Sequence, residues 1–169
     1  MNVSLSNFQL YLIAIGSAAA ISFALTPLVR LLALRFNWMD APSSSIKTQK
    51  ITTPSLGGIA IFCGFSGTLL MLRWLTQFPT GTLRSLRAVI TGAAIIFVMG
   101  VIDDLKKPQG LHFKPKFIGQ SLAAVVLMAY GIQLQFIAPN YFAVALTLFW
   151  VVGITNAFNI VDIMDGLSA

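Results

Sequence analysis

The segment Leu86–Asp104, LRAVITGAAIIFVMGVIDD, sets an apolar run from about Leu86 to Ile102, charged only at Arg87, directly against two adjacent aspartates. Its length is close to the roughly 20 residues that cross a hydrocarbon core. Four more runs of this kind can be drawn: about Phe8 to Leu34, with Pro27 near its end, about Ser55 to Leu75, about Phe117 to Leu134 and about Tyr141 to Phe158. In lipid each must be helical, because an open backbone N–H or C=O there costs several kcal/mol. The expected fold is therefore all-α: one polytopic membrane domain, residues 1–169, with about five transmembrane helices.

Composition agrees. Hydrophobic residues make up 57% of the 169 and charged residues 9%. A soluble domain carries about 25% charge, so this chain could not cover a water-facing surface. The net charge of +6 comes from eleven Lys and Arg against five Asp and no Glu. The basic residues lie between apolar runs rather than along one polar face, which argues against nucleic acid and for a membrane surface. The lone cysteine, Cys63, excludes an intramolecular disulfide and a CxxC metal site. It reads as a small apolar core residue. His112 sits in a basic loop and reads as solvated.

The basic residues also give an orientation. Arg30, Arg35, Lys47, Lys50, Lys106, Lys107, Lys114 and Lys116 fall on one side of the membrane, against Arg73, Arg84 and Arg87 on the other. By the positive-inside rule the amino terminus is outside and the carboxyl terminus cytoplasmic. No Lys or Arg precedes the first run, and the run is long, which argues against a cleaved signal peptide. Trp38, Trp74, Tyr130 and Tyr141 fall near run ends, where amphipathic rings favour the interface.

Four of the five acids fall into two clusters at the cytoplasmic ends of runs: Asp103 with Asp104, and Asp162 with Asp165. Acids at membrane depth are costly and usually mark a site. The first pair could simply cap a helix or pair weakly with Lys106 and Lys107. The second is harder to explain so, because Asn156, Asn159, Asp162 and Asp165 recur every three residues, as neighbours on one helix face. Gly166 is a plausible breaker of that helix. Carboxylate and amide oxygens suit Mg²⁺, or Mn²⁺ as the alternative cation. Mg²⁺ and lysine together neutralise phosphate charge, which is most of what phosphoryl transfer needs. Lysines stand nearby at Lys47, Lys50, Lys114 and Lys116, and Gly57-Gly58 at a helix start could let backbone N–H groups approach a phosphate.

Three segments resemble the polyprenyl-phosphate N-acetylhexosamine-1-phosphate transferases. Lys50-Ile51-Thr52-Thr53-Pro54-Ser55-Leu56-Gly57-Gly58 is similar to the family's first inner loop, K-x-P-T-P-x-x-G-G. Gly100-Val101-Ile102-Asp103-Asp104, with Lys116 and Gln120, resembles its DD loop and the helix that follows. Asn156-Ala157-Phe158-Asn159-Ile160-Val161-Asp162-Ile163-Met164-Asp165-Gly166-Leu167 resembles N-A-x-N-x-x-D-G-x-D-G-L, in the form that leans towards the GlcNAc-1-phosphate branch. Thr52 and Ile163 depart from the pattern, and the bulk of Ile163 bears on nucleotide fit.

The resemblance implies transfer of HexNAc-1-phosphate from a UDP-sugar to undecaprenyl phosphate, with release of UMP. This would be the first membrane step of O-antigen or other cell-envelope glycan synthesis, on the cytoplasmic face of a bacterial inner membrane. It implies catalytic roles for Asp103, Asp104, Asp162 and Asp165, with the metal on Asp103, Asp104 and Asp162. Lys50, Lys116, Gln120, Asn156 and Asn159 would hold substrate. It also implies an enzyme about twice as long as these 169 residues, with roughly ten helices, so that this chain would be its amino-terminal half. Alone it would be inactive, working with the missing half or as a homodimer. Two other classes compete. A Mg²⁺-dependent membrane prenyltransferase would leave the Lys-rich first loop unexplained. A non-enzymatic membrane subunit or cation carrier would place its acids at mid-membrane.

Overall fold

The computed structural model describes residues 6–41, 52–76, 79–107, 109–136 and 139–161. Within them lie five helices: α1 (Asn7–Arg35), α2 (Gly57–Leu75), α3 (Thr80–Leu105), α4 (Phe113–Ala129) and α5 (Asn140–Val161). A two-residue antiparallel ladder follows α1, β1 (Met39–Asp40) against β2 (Thr53–Pro54), with Met39 opposite Pro54 and Asp40 opposite Thr53. The first inner loop is thus stemmed as a hairpin, which the apolar pattern did not announce.

Four helices, α1, α2, α3 and α5, are long and apolar enough to span a membrane. The sequence suggested five. The fourth differs because its run is displaced: α4 begins at Phe113 and stops at Ala129, not at about Leu134. Its start takes in Pro115, whose missing N–H costs nothing in a first helical turn. Its end is set by Gly131, whose φ of +87° is the left-handed conformation of a Schellman cap. Ile132 N–H there donates to Leu127 O at 3.0 Å and Gly131 N–H to Met128 O at 2.8 Å. Seventeen residues give about 25 Å of helix, short of a core of about 30 Å. In contrast, α3 starts at Thr80, well before Leu86, and carries Arg84 and Arg87 in its first turns.

The end of α1 has the same cap, made with Asn37 at φ +56°. Trp38 N–H donates to Ala33 O at 2.8 Å, which turns the chain back over the helix. Trp38 then covers a small core of Val29, Leu56 and Ala60. Leu56, just before α2, has φ +75° and is 3% exposed. A bulky residue in that region is unusual, and here burial of the side chain holds it.

Packing follows membrane logic. Large apolar side chains such as Phe23 and Trp74 point outward, while Ala33, Ala60, Ala88, Ala123, Ala124 and Ala143 are buried. Lipid is as apolar as leucine, so helices associate through small residues that let backbones meet. The α1–α2 seam shows this best: Ser17 Oγ lies 3.1 Å from Thr68 Oγ1, and Ser22 Oγ donates to Ala60 O at 3.1 Å. A Cβ at Gly64 would collide with Ser22 Oγ and stand 2.8 Å from the Ala18 carbonyl oxygen. Gly64→Ala should therefore lower the midpoint of a thermal melt in detergent, by the equivalent of about 1–3 kcal/mol. Gly16→Ala, where nothing lies within 4 Å, should leave it unchanged or raise it. Equal midpoints for the two variants would disprove the close seam.

Candidate functional site

The last turn of α3 carries Asp103 and Asp104, and the two side chains have different partners. The Oδ1 of Asp103 accepts the Leu111 N–H at 2.6 Å, and its Oδ2 accepts from Lys116 Nζ at 2.9 Å. The loop from α3 to α4 must wrap closely to deliver that N–H. Gly110 permits it, with φ +65° and an α-carbon so near that a Cβ would stand 3.0 Å from Asp103 Oδ1. The Oδ2 of Asp104 instead accepts the Leu56 N–H at 3.3 Å, ahead of α2, and its Oδ1 meets Lys107 Nζ at 2.8 Å. The end of α2 that the glycines suggested as a phosphate cradle therefore has a carboxylate of the chain's own beside it, where the helix dipole favours negative charge.

Lys107 also reaches Asp40 Oδ2 at 3.3 Å, in the hairpin stem. The sequence suggested a weak surface pair, yet the Lys107 and Asp40 side chains are only 26% and 15% exposed. Burial by itself lowers the Lys107 pKa, but hydrogen bonding and attraction to Asp104, and then Asp40, outweigh it and raise the pKa above 10.5. A raised lysine stabilises the fold fully below its unfolded value and loses that effect as pH climbs through the folded value.

On α4 and α5, Gln120 and Asn156 face each other. Asn156 Nδ2 donates to Gln120 Oε1 at 2.7 Å, and Gln120 Nε2 to Asn156 Oδ1 at 3.4 Å. Asn156 Nδ2 also reaches Val152 O at 2.8 Å. The pair clasps α4 to α5.

These elements enclose a cleft of about 560 Å³. Gly58 of α2, Asp103 of α3, Lys116 and Gln120 of α4 and Asn159 of α5 all line it. Residues far apart in sequence thus meet at one end of the bundle. Asp104 lies outside this cleft and lines a neighbouring apolar groove of about 430 Å³ between α2 and α3. Lys50, Asp162 and Asp165 lie outside the described residues. Among the described residues no three His, Cys, Asp or Glu side chains come together as a metal cage. Sequence reasoning missed Asp40 and Gly110, and for Lys107 it gave only the weak pairing with the neighbouring acids. Asp40 is the one acid outside the two clusters, and its tie to Lys107 is a tertiary contact with no local signal.

Residues 86–169 match Glycosyl transferase family 4. The chain belongs to that family. It is 33% identical, over 86% of its length, to a probable undecaprenyl-phosphate N-acetylglucosaminyl 1-phosphate transferase of Bacillus subtilis. It is 32% identical, over 90% of its length, to a decaprenyl-phosphate N-acetylglucosaminephosphotransferase of Mycolicibacterium smegmatis. To a phospho-N-acetylmuramoyl-pentapeptide-transferase of Prochlorococcus marinus it is 28% identical over 80% of its length. The chain spans only 40%, 40% and 42% of these three relatives. No solved structure matches it. The matched segment of this family 4 chain runs through α3, α4 and α5, and so includes Asp103, Lys116, Gln120, Asn156 and Asn159.

Two outcomes follow from this geometry. Asn156→Leu orphans the buried Gln120 amide, Gln120→Leu leaves the half-buried Asn156 amide only its bond to Val152 O, and each should destabilise the fold. The double variant should recover part of the loss, with a coupling of about 0.6–2 kcal/mol in thermal melts. Simple additivity would show that the amides do not act as a pair. For Lys107, the stability difference between the parent and Lys107→Met should hold steady from pH 7 upward and narrow only above about pH 10.5. Narrowing that begins near neutrality would contradict the assigned ion pairs.

Proposed function

We propose that this chain forms the phosphate-handling end of an enzyme that transfers HexNAc-1-phosphate, specifically GlcNAc-1-phosphate, from a UDP-sugar to a polyprenyl phosphate. The observation that carries the reading is the cleft itself. It brings Asp103, Lys116 and Asn159 together at the end of a bundle whose outer surface suits lipid. A lipid phosphate can reach such a site from the bilayer and a nucleotide sugar from water. The relatives more than 30% identical carry N-acetylglucosamine in their names, which supports the sugar.

In this reading an oxygen of the lipid phosphate attacks the sugar-bearing phosphorus of the UDP-sugar. The bond from that phosphorus to the UMP oxygen breaks, UMP leaves, and a lipid-diphosphate-linked sugar remains. Lys116 neutralises charge on the transferring phosphate. While it does so its hold on Asp103 loosens, which frees the Asp103 carboxylate. Asn159 presents an amide to the nucleotide side of the cleft. Mg²⁺ needs only one or two carboxylates when phosphates supply other ligands, a need that Asp103 meets, with Asp162 next along the chain. When bound, the ion would offset the negative charge of the phosphates. Lys50 would add a second cation. The positive-inside count supports a cytoplasmic face for this end, the side on which a nucleotide sugar would be met.

The test is UMP release from UDP-GlcNAc with undecaprenyl phosphate and Mg²⁺. It uses membranes holding this chain together with the remaining carboxyl-terminal part of the Bacillus subtilis relative. Release is expected with the parent chain. Asp103→Asn and Lys116→Met should each reduce it by about a hundredfold or more. Release that survives both substitutions would overturn the assignment of this cleft. Release with UDP-MurNAc-pentapeptide but not UDP-GlcNAc would overturn the sugar.

A further inference from the structure

Asp103 and Asp104 are neighbours in sequence but serve different structures. Asp103 faces the cleft and is held by Lys116 and the loop before α4. Asp104 faces the other way, towards Leu56 N–H and Lys107. Lys107 in turn binds Asp40. The row Asp40–Lys107–Asp104–Leu56 therefore starts in the hairpin stem, crosses the end of α3 and returns to the start of α2. It links the two ends of the first inner loop through a single ammonium group. The neighbouring backbone bond, Ser55 N–H to Trp38 O at 3.0 Å, closes the stem on the same side. Gly58, two residues beyond Leu56, forms a wall of the cleft.

We propose that Lys107, with Asp40 and Asp104, is a latch that seats the first inner loop on the end of α3, and that Lys107 is a positioning residue for the cleft wall at Gly58. Asp104 belongs to the latch, and Asp103 alone of the pair belongs to the cleft. α2 and α3 pack only lightly against each other, with an apolar groove between them. Packing there rests on Val101 against the Leu56 and Ala60 core and on the stacked rings of Phe62 and Phe97, 4.2 Å apart, and the ionic contacts add a separate hold at the end of α3. Lysine suits the place because its ammonium can donate to two carboxylates at once, and each carboxylate lies on a different segment.

The seating can be read without any enzymatic activity. Ser55 lies between the stem and Leu56, is 7% exposed, and its Oγ has no hydrogen-bond partner among the described residues. Ser55→Cys therefore replaces a hydroxyl that makes no bond with a group of similar size. In a background of Cys63→Ser, the thiol at position 55 should react slowly with a water-soluble maleimide. Adding Lys107→Met, Asp40→Asn or Asp104→Asn should speed that reaction by about tenfold or more, the opening expected when a charge-assisted bond is lost. Lys107→Arg should restore much of the protection. Asp103→Asn should leave the thiol protected. Ala123→Cys in α4, at a fully buried position, reports on the whole bundle and should stay protected throughout. Continued protection at position 55 in Lys107→Met would overturn the latch. So would exposure at 55 and 123 together, because the pairs would then hold the bundle rather than the loop. Equal exposure from Asp103→Asn would overturn the division between the two acids.

Discussion

Helices in a bilayer gain nothing by hiding leucine from lipid, so they meet only where small side chains let their backbones touch. That constraint governs the bundle. Alanines are buried at helix contacts while most of the large apolar side chains, Phe23, Phe149 and Trp74 among them, face outward. Gly64 and Ser22 bring α1 onto α2, and Gly119 is close enough to α3 that a Cβ there would sit 2.7 Å from Met99 Cγ. Close approach along the shafts also brings the polar helix ends into range. Hydroxyl-to-carbonyl and amide-to-amide bonds then settle register, because in lipid an unsatisfied polar group has no water to turn to.

At the end of the bundle the balance changes from packing to charge. Every described carboxylate there is met by a lysine, and the two lysines involved, Lys107 and Lys116, are half-buried rather than free in solvent. Half-burial makes such pairs more than the near-neutral surface bridges of soluble proteins. Losing one partner would leave the other charge short of its counterpart in a poorly hydrated place. This gives each of the two adjacent acids its own lysine and its own loop, an arrangement that a helix end allows because successive side chains leave it about 100° apart.

Much of this could be read from residues alone. The apolar runs marked all five helices, and the three motif segments held the polar groups of the cleft, Asp103, Lys116, Gln120 and Asn159, with Gly58 in its wall. The fourth helix was misplaced because apolar content continues past Gly131, whereas the backbone there turns left-handed and ends the helix. Hydropathy senses what lipid tolerates, not where a cap forms. The resemblance implies two substrate-binding groups at Gln120 and Asn156, and no one-dimensional pattern shows that each faces the other across 36 positions. Asp40 was invisible for a related reason. Its meaning lies in Lys107, which it meets only after the chain has crossed the bundle twice.

Leu56 shows where local preference gave way. Its backbone takes a conformation that glycine or asparagine would adopt more readily, yet its side chain is buried under Trp38 and its N–H points at Asp104. Glycine would ease the backbone and empty the core, and an ordinary extended leucine would turn the N–H away. The residue is thus a local misfit that satisfies two distant demands at once. Such conflicts are expected where a chain has been shaped by its site rather than by ease of folding. By that measure the entry to α2 carries more information about purpose than any of the smooth apolar helices around it.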